Sequence, residues 1–129
     1  MSFSATISQS ITIGGKTVNK AKTLTASANV GVEETVAGTT TDYNIIVALD
    51  QSEIAALYIV ADQALTLKTQ DGTTADVDTI VLVADEPLIW YTGSLYTSQI
   101  TADLTDINVT NASGTAATLQ LYCIQDATP

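Results

Sequence analysis

Apolar and polar side chains alternate at the start of the chain. Phe3, Ala5, Ile7, Ile11 and Ile13 are apolar, with Ser2, Ser4, Thr6, Ser8, Ser10 and Thr12 between them; Gln9 breaks the pattern. A period of two is the pattern of a strand with one face covered. Gly14-Gly15 then predicts a two-residue hairpin turn. The return strand is expected from Lys16 to about Val30, with Val18, Leu24, Ala26, Ala28 and Val30 facing a core. Lys20 and Lys22 share that parity. This predicts a hairpin that leaves the core there, or an edge guarded by lysine.

The stretch from Gly31 to Asp42 shows no period and reads as a loop, with a short strand at most over Glu34–Ala37. Tyr43 to Leu49 is a continuous apolar run, the pattern of a central strand buried on both faces. Asp50-Gln-Ser-Glu53 carries the signal of a capped helical turn, and Leu57 to Ala61 returns to strand chemistry. In Leu65 to Thr69, Leu65 and Leu67 are expected inside and Thr66 and Lys68 outside. Further strands are expected at Ile80–Val83, Leu88–Tyr91, around Ile107 and Val109, and from Ala116 to Gln125. Asp71-Gly72, Asp85-Glu86-Pro87 and Asn111-Ala-Ser-Gly114 supply turns between them. Leu95, Tyr96, Ile100 and Leu104 are the expected anchors of the polar stretch from Gly93 to Asp106. Short strands at this spacing predict one all-β domain over 1–129. It is an antiparallel sandwich or jelly roll of eight to nine strands, with an N-terminal hairpin arm over 1–30 and a core over 43–125.

Composition adds function classes to exclude. The chain of 129 residues has four Lys and Arg together, fourteen acidic residues and a formal net charge of −10. That balance argues against nucleic acid and against an anionic membrane surface as partners. No apolar run approaches the length of a membrane span, and the N-terminus lacks the apolar core of a signal peptide. Synthesis and folding in a cytoplasm are therefore expected. The single cysteine, Cys123, sits in the apolar run Leu119–Ile124 and reads as a buried small hydrophobe. Asn108-Val-Thr and Asn111-Ala-Ser match glycosylation acceptors, and both are taken as chance.

Candidate chemistry is thin. Asp71, Asp76 and Asp78 share one loop, but their order departs from the calcium-loop pattern, and an exposed hairpin tip is the simpler reading. No metal or cofactor is expected. With no His, a general base or a Ser–His or Cys–His pair cannot be built from imidazole, and Asp85-Glu86 are adjacent before Pro87, as in a turn. An enzyme is not expected. Trp90, Tyr91 and Tyr96 cluster in sequence. They could form an aromatic platform for sugars, or Trp90 could plug the core with Leu88 while Tyr91 faces outward as an interface residue.

The segments Leu57-Tyr-Ile-Val-Ala-Asp62, Leu65-Thr-Leu-Lys-Thr-Gln70, Ile80 to Trp90 and Leu104 to Gly114 together resemble capsid decoration, or cement, proteins of tailed bacteriophages. The resemblance covers about half the chain, Leu57 to Leu121, and rests on strand and turn residues. The hairpin before Val30 lies outside it. It implies a homotrimeric β-sandwich on the outer surface of a virion that reinforces contacts between major capsid protein subunits. The alternating arm would add to a neighbouring sheet edge, which makes Phe3, Ile7, Ile11, Ile13, Tyr91 and Tyr96 the expected partner-binding residues. The alternative is a carbohydrate- or receptor-binding sandwich module of a phage tail or a secreted enzyme, with Trp90 or Tyr91 exposed in a groove.

Overall fold

The alternating N-terminal stretch pairs as its period requires. In a computed structural model, which describes residues 2–73 and 75–126, β1 (Phe3–Ile13) and β2 (Lys16–Ala26) form an antiparallel hairpin. Its register runs from Phe3↔Ala26 to Ile13↔Lys16. Gly14 and Gly15 turn it at φ 58° and 82°, a left-handed pair that glycine adopts without a Cβ penalty. One face of the ribbon carries hydroxyls, and Thr12 and Thr17 hydrogen-bond across it at 2.8 Å. The other face carries Phe3, Ala5, Ile7, Ile11 and Ile13 opposite Ala26, Leu24, Lys22, Val18 and Lys16.

Eight strands follow: β3 (Ala28–Val36), β4 (Thr40–Leu49), β5 (Ile54–Ala61), β6 (Leu65–Gln70), β7 (Asp76–Leu82), β8 (Leu88–Tyr91), β9 (Leu104–Asn111) and β10 (Ala117–Gln125). They build two four-stranded antiparallel sheets, in the orders β3-β10-β5-β8 and β4-β9-β6-β7. The sheets pack face to face over a single core. Leu57, Ile59, Leu119 and Leu121 of the first sheet meet Ile45, Leu65, Leu67, Ile80, Ile107 and Val109 of the second. Burying such side chains contributes about 1.5–3 kcal/mol each, so this core carries most of the fold's stability.

A 3-10 turn (Gln51–Glu53) joins β4 to β5, capped by Asp50 as the sequence indicates. The Ser52 hydroxyl and N–H donate to the Asp50 carboxylate at 2.7 and 3.0 Å and hold its pKa below the ordinary range.

Four expectations are corrected. The strand expected from Lys16 to Val30 breaks at Ser27, so the arm ends at Ala26 and the core begins at Ala28, earlier than residue 43. The stretch from Gly31 is no loop: β3 continues to Val36, sending Val30 and Val32 inward while Gly31, Glu33 and Thr35 alternate outward. As an edge strand it tolerates the glycine and the charges. The apolar run in β4 is not central either. β4 is an edge strand in which Ile45, Val47 and Leu49 are buried and Tyr43 and Ile46 exposed. Finally, Ile100 and Leu104 anchor the long connection after β8 as expected, but Leu95 and Tyr96 stand in solvent.

One buried polar side chain fastens an end of the sandwich. Asn111, fully buried at the end of β9, donates its amide to the carbonyls of Val36, Ala37 and Thr115 at 3.2, 3.3 and 2.8 Å. Its carbonyl accepts from the N–H and hydroxyl of Ser113. The β3–β4 and β9–β10 turns are thereby drawn together, and Thr39 N–H bonds Ser113 O at 2.8 Å. Gly38 makes that approach possible, because a Cβ there would lie 2.6 Å from the Gly114 carbonyl carbon. Removing the Asn111 side chain takes away these bonds, including the one to the buried Val36 carbonyl, a loss of about 1–3 kcal/mol for such a group. Asn111→Ala is expected to lower the unfolding free energy in urea by about 2–3 kcal/mol, while Asn108→Ala, on the solvated face, changes it by under about 0.5 kcal/mol.

Candidate interaction surface

The two outer faces of the sandwich differ in chemistry. On the β4-β9-β6-β7 sheet the middle of the outer face is polar. Asn44 donates to Asp106 Oδ2 at 2.6 Å and to Asn108 Oδ1 at 2.9 Å, and Lys68 pairs with Asp76 at 3.6 Å. On the β3-β10-β5-β8 sheet the outer face is apolar and aromatic. Strand register aligns Gly31, Tyr122, Tyr58 and Ile89 in one row across all four strands, and Asn29, Ile124, Ala56 and Tyr91 in the next. In β10 and β5 the inward row is also apolar, so along Tyr122–Ile124 and Ala56–Tyr58 both faces are apolar, while Thr118 and Gln120 make the rest of β10's outer face polar.

The arm covers the second row. Phe3, Ala5, Ile7, Leu24 and Ala26 pack on Ala55, Ala56, Ile124 and Tyr91 in a satellite cluster separate from the main core. Lys22 fixes the arm at the sheet edge. Its Nζ lies 5.3 Å from the centre of the Tyr91 ring and donates to Thr92 O at 3.3 Å. Past that point the hairpin leaves the body, and every residue from Ser8 to Thr23 is exposed. At about 3.3 Å per residue, Ser8 to Ile13 projects roughly 20 Å. Ile11, Ile13 and Val18 are 57%, 68% and 56% exposed at its end.

The first row stays open. Tyr58, Ile89 and Tyr122 are exposed, and with Ala5, Ile7 and Ser8 of β1 they line a groove of about 450 Å³. One wall is β1, which among the described residues pairs only with β2 and so presents a free edge. The Tyr122 ring lies over Gly31, where a Cβ would be 3.3 Å from it, and its hydroxyl is 3.4 Å from Glu33 Oε2. The site has an aromatic floor, one carboxylate, Glu33, beside Tyr122, and an open strand edge. It offers contact area and backbone pairing, the means of adhesion.

The expected partner-binding residues therefore divide. Phe3 and Ile7 are used within the chain to seat the arm, and Tyr91 is half-buried beneath Lys22. Ile11, Ile13 and Tyr96 remain exposed, the first two at the arm tip and Tyr96 on the loop after β8. Trp90 packs against the main core, and its indole N–H donates to Tyr96 O at 2.9 Å. Asp71, Asp76 and Asp78 point to different partners: Thr73, Gln70 and Thr101. Among the described residues no three acidic or sulfur ligands converge on one point. Tyr58, Ile89 and Tyr122 were not singled out in the sequence. Their signal was apolar residues on both parities of Leu57–Val60 and Leu119–Ile124. The chain was compared with protein-family models, curated proteins and solved structures, and it matches none of them.

Cys123 lies inside, beneath this face, and burial pushes its thiol pKa from 9.0 up to about 12. The unfolded chain ionises the thiol from about pH 9 and the folded chain does not. The folded state therefore loses stability as pH rises from about 9 towards 12, by at most about 1.4 kcal/mol per unit, and is unaffected by this group below 9. Urea unfolding of the wild type and Cys123→Ala at pH 8, 9, 10 and 11 is expected to show that extra decline in the wild type alone.

Proposed function

We propose that the chain is a structural virion protein that binds the outer surface of a bacteriophage capsid and stabilises contacts between major capsid protein subunits, as a homotrimer. One observation carries this reading: a hairpin arm extends exposed Ile11, Ile13 and Val18 beyond the body, next to an aromatic face that the body leaves open. A protein that joins others needs a reach and a patch, and this chain has both on one side. The likeness of Leu57–Leu121 to capsid decoration proteins points the same way.

The strand orders also favour the narrower reading of the core as a jelly roll. Neighbours in each sheet are mostly distant in sequence, and successive strands pass from one sheet to the other, as two interleaved Greek keys require. Such a sandwich leaves its loops and arm at the surface for contacts.

In this reading the protein is made in the host cytoplasm and ends on the virion. Its acidic body remains soluble at high copy number until it meets the shell. The sugar-platform alternative loses its principal residue, because Trp90 faces the core.

Co-sedimentation with DNA-free shells assembled from tailed-phage major capsid proteins tests the reading. Saturable binding that raises the temperature of shell disruption is the expected result; no binding at micromolar protein overturns it. Deleting residues 1–13 is expected to abolish assembly or shell binding. Because that deletion leaves β2 unpaired, I11S/I13S is made alongside it, and this variant is expected to weaken association by about tenfold or more. Unchanged association of I11S/I13S would remove the arm from the mechanism.

A further inference from the structure

We propose that the arm tip of one copy seats in the aromatic groove of a second copy of this chain. This deepens the oligomeric part of the function above by naming the two surfaces that meet, and it can be tested without a capsid.

Charge is the first argument for the occupant. Residues 2–31 contain no Asp or Glu and hold Lys16, Lys20 and Lys22, three of the four lysines. The remainder holds Lys68 and all fourteen acidic residues. The arm is thus formally +3 and the rest of the chain −13, which together give the −10 of the whole. A chain divided in this way attracts its own kind, arm to body, with a steering field that salt weakens. Lys16 and Lys20 flank Val18 on β2 and point from the same ribbon face as Ile11 and Ile13. Glu33 stands at the rim of the groove beside Tyr122.

Shape is the second argument. The face that seats the arm on its own body continues past the body's edge. Phe3, Ala5 and Ile7 are used at home, while Ile11, Ile13 and Val18 extend the same apolar face into solvent. The ribbon cannot bring this tip back to its own groove without breaking its pairing, which is in register to the Gly14-Gly15 turn. The groove is the complementary half. It has an aromatic floor of Tyr58 and Tyr122, with Ile89 at its edge, and about 450 Å³ of space. Its β1 wall has an open edge along which an incoming strand can add backbone hydrogen bonds. Arm and groove are different surfaces, so the contact is head-to-tail. Such a contact closes into a ring when its rotation permits.

The experiment uses purified full-length chains without shells, and solution mass as readout. The wild type is expected as a multiple of 13.5 kDa, with an apparent dissociation constant about tenfold weaker in 500 mM than in 50 mM salt. I11S/I13S and Y58S/Y122S are each expected to be monomeric. Mixed together they are expected to give a dimer and nothing larger, since one intact arm meets one intact groove. E33K reverses a charge on an exposed edge-strand residue and removes its 3.4 Å bond from the Tyr122 hydroxyl; it is expected to weaken assembly and flatten the salt dependence, and E33Q, which keeps an acceptor for Tyr122, is expected to do so by less. A monomeric wild type overturns the proposal, as does an assembled Y58S/Y122S or a mixture that stays monomeric. Assembly of Y58S/Y122S with loss in I11S/I13S would show arm pairing with arm. A monomeric wild type that still binds shells would overturn this proposal and leave the capsid reading standing; an assembled one that binds no shell would do the reverse.

Discussion

The rest of the structure depends on a property of two neighbouring strands. Over Ala56–Tyr58 and Tyr122–Ile124, β5 and β10 carry apolar side chains on both faces, and a sandwich covers only one. Their inner rows, with Leu57, Ile59, Leu119 and Leu121, meet the opposite sheet and form the core. Their outer rows, with Ala56, Tyr58, Tyr122 and Ile124, remain exposed to water unless something is laid over them. The hairpin arm is that cover, and it reaches over one row of the two. The exposed Tyr58–Tyr122 floor, the position of the arm and the open edge of β1 all follow from this incomplete cover. On the second sheet the middle of the outer face is polar, with Asn44 bonded to Asp106 and Asn108, although Ile46 and Val81 also stand in solvent there.

The arm, in turn, is specified by simple sequence elements. Alternation broken at Gln9 gives a ribbon with one hydroxyl-rich face and one face that mixes apolar side chains with Gln9, Lys16, Lys20 and Lys22, and two glycines permit the tight left-handed turn. Lys22 marks the point where the body ends, because beyond the Tyr91 ring there is no surface left to bury against. Asp and Glu are absent from the arm entirely. A ribbon with an apolar strip and no acidic residue beside a strongly acidic domain is poorly suited to isolation at low salt, where its attraction for acidic surfaces is least screened.

Much of this was legible in the sequence, and the failures have physical causes. The hairpin, its turn, the capped turn after Asp50 and the strands around Leu65, Ile80, Leu88 and Val109 follow from local period and turn chemistry. β3 was hidden because Gly31 and Glu34 interrupt an alternation that Val30, Val32 and Val36 otherwise keep. The glycine is there for the Tyr122 ring, a contact made by a residue more than ninety positions away. β4 was misplaced because an apolar run cannot by itself separate a doubly buried strand from an edge strand that exposes Ile46. The interaction face was missed for the same reason in reverse. In Leu119–Ile124 only Cys123 was assigned a place, whereas Tyr122 and Ile124 belong to the outer face. Only the register of four strands brings Gly31, Tyr122, Tyr58 and Ile89 into one line.

The way the arm is seated also sets how it would respond to force. The pairs Phe3–Ala26, Ala5–Leu24 and Ile7–Lys22 lie in succession along the ribbon. Tension along the arm must therefore slide all of these contacts together, the geometry of a lap joint in shear. A sideways force would peel them one row at a time, beginning at Lys22. The body behind the joint is tied at one end through Asn111, which links two turns by side-chain bonds to the backbone. A domain joined in this way is stiff along the axis of its arm and compliant across it.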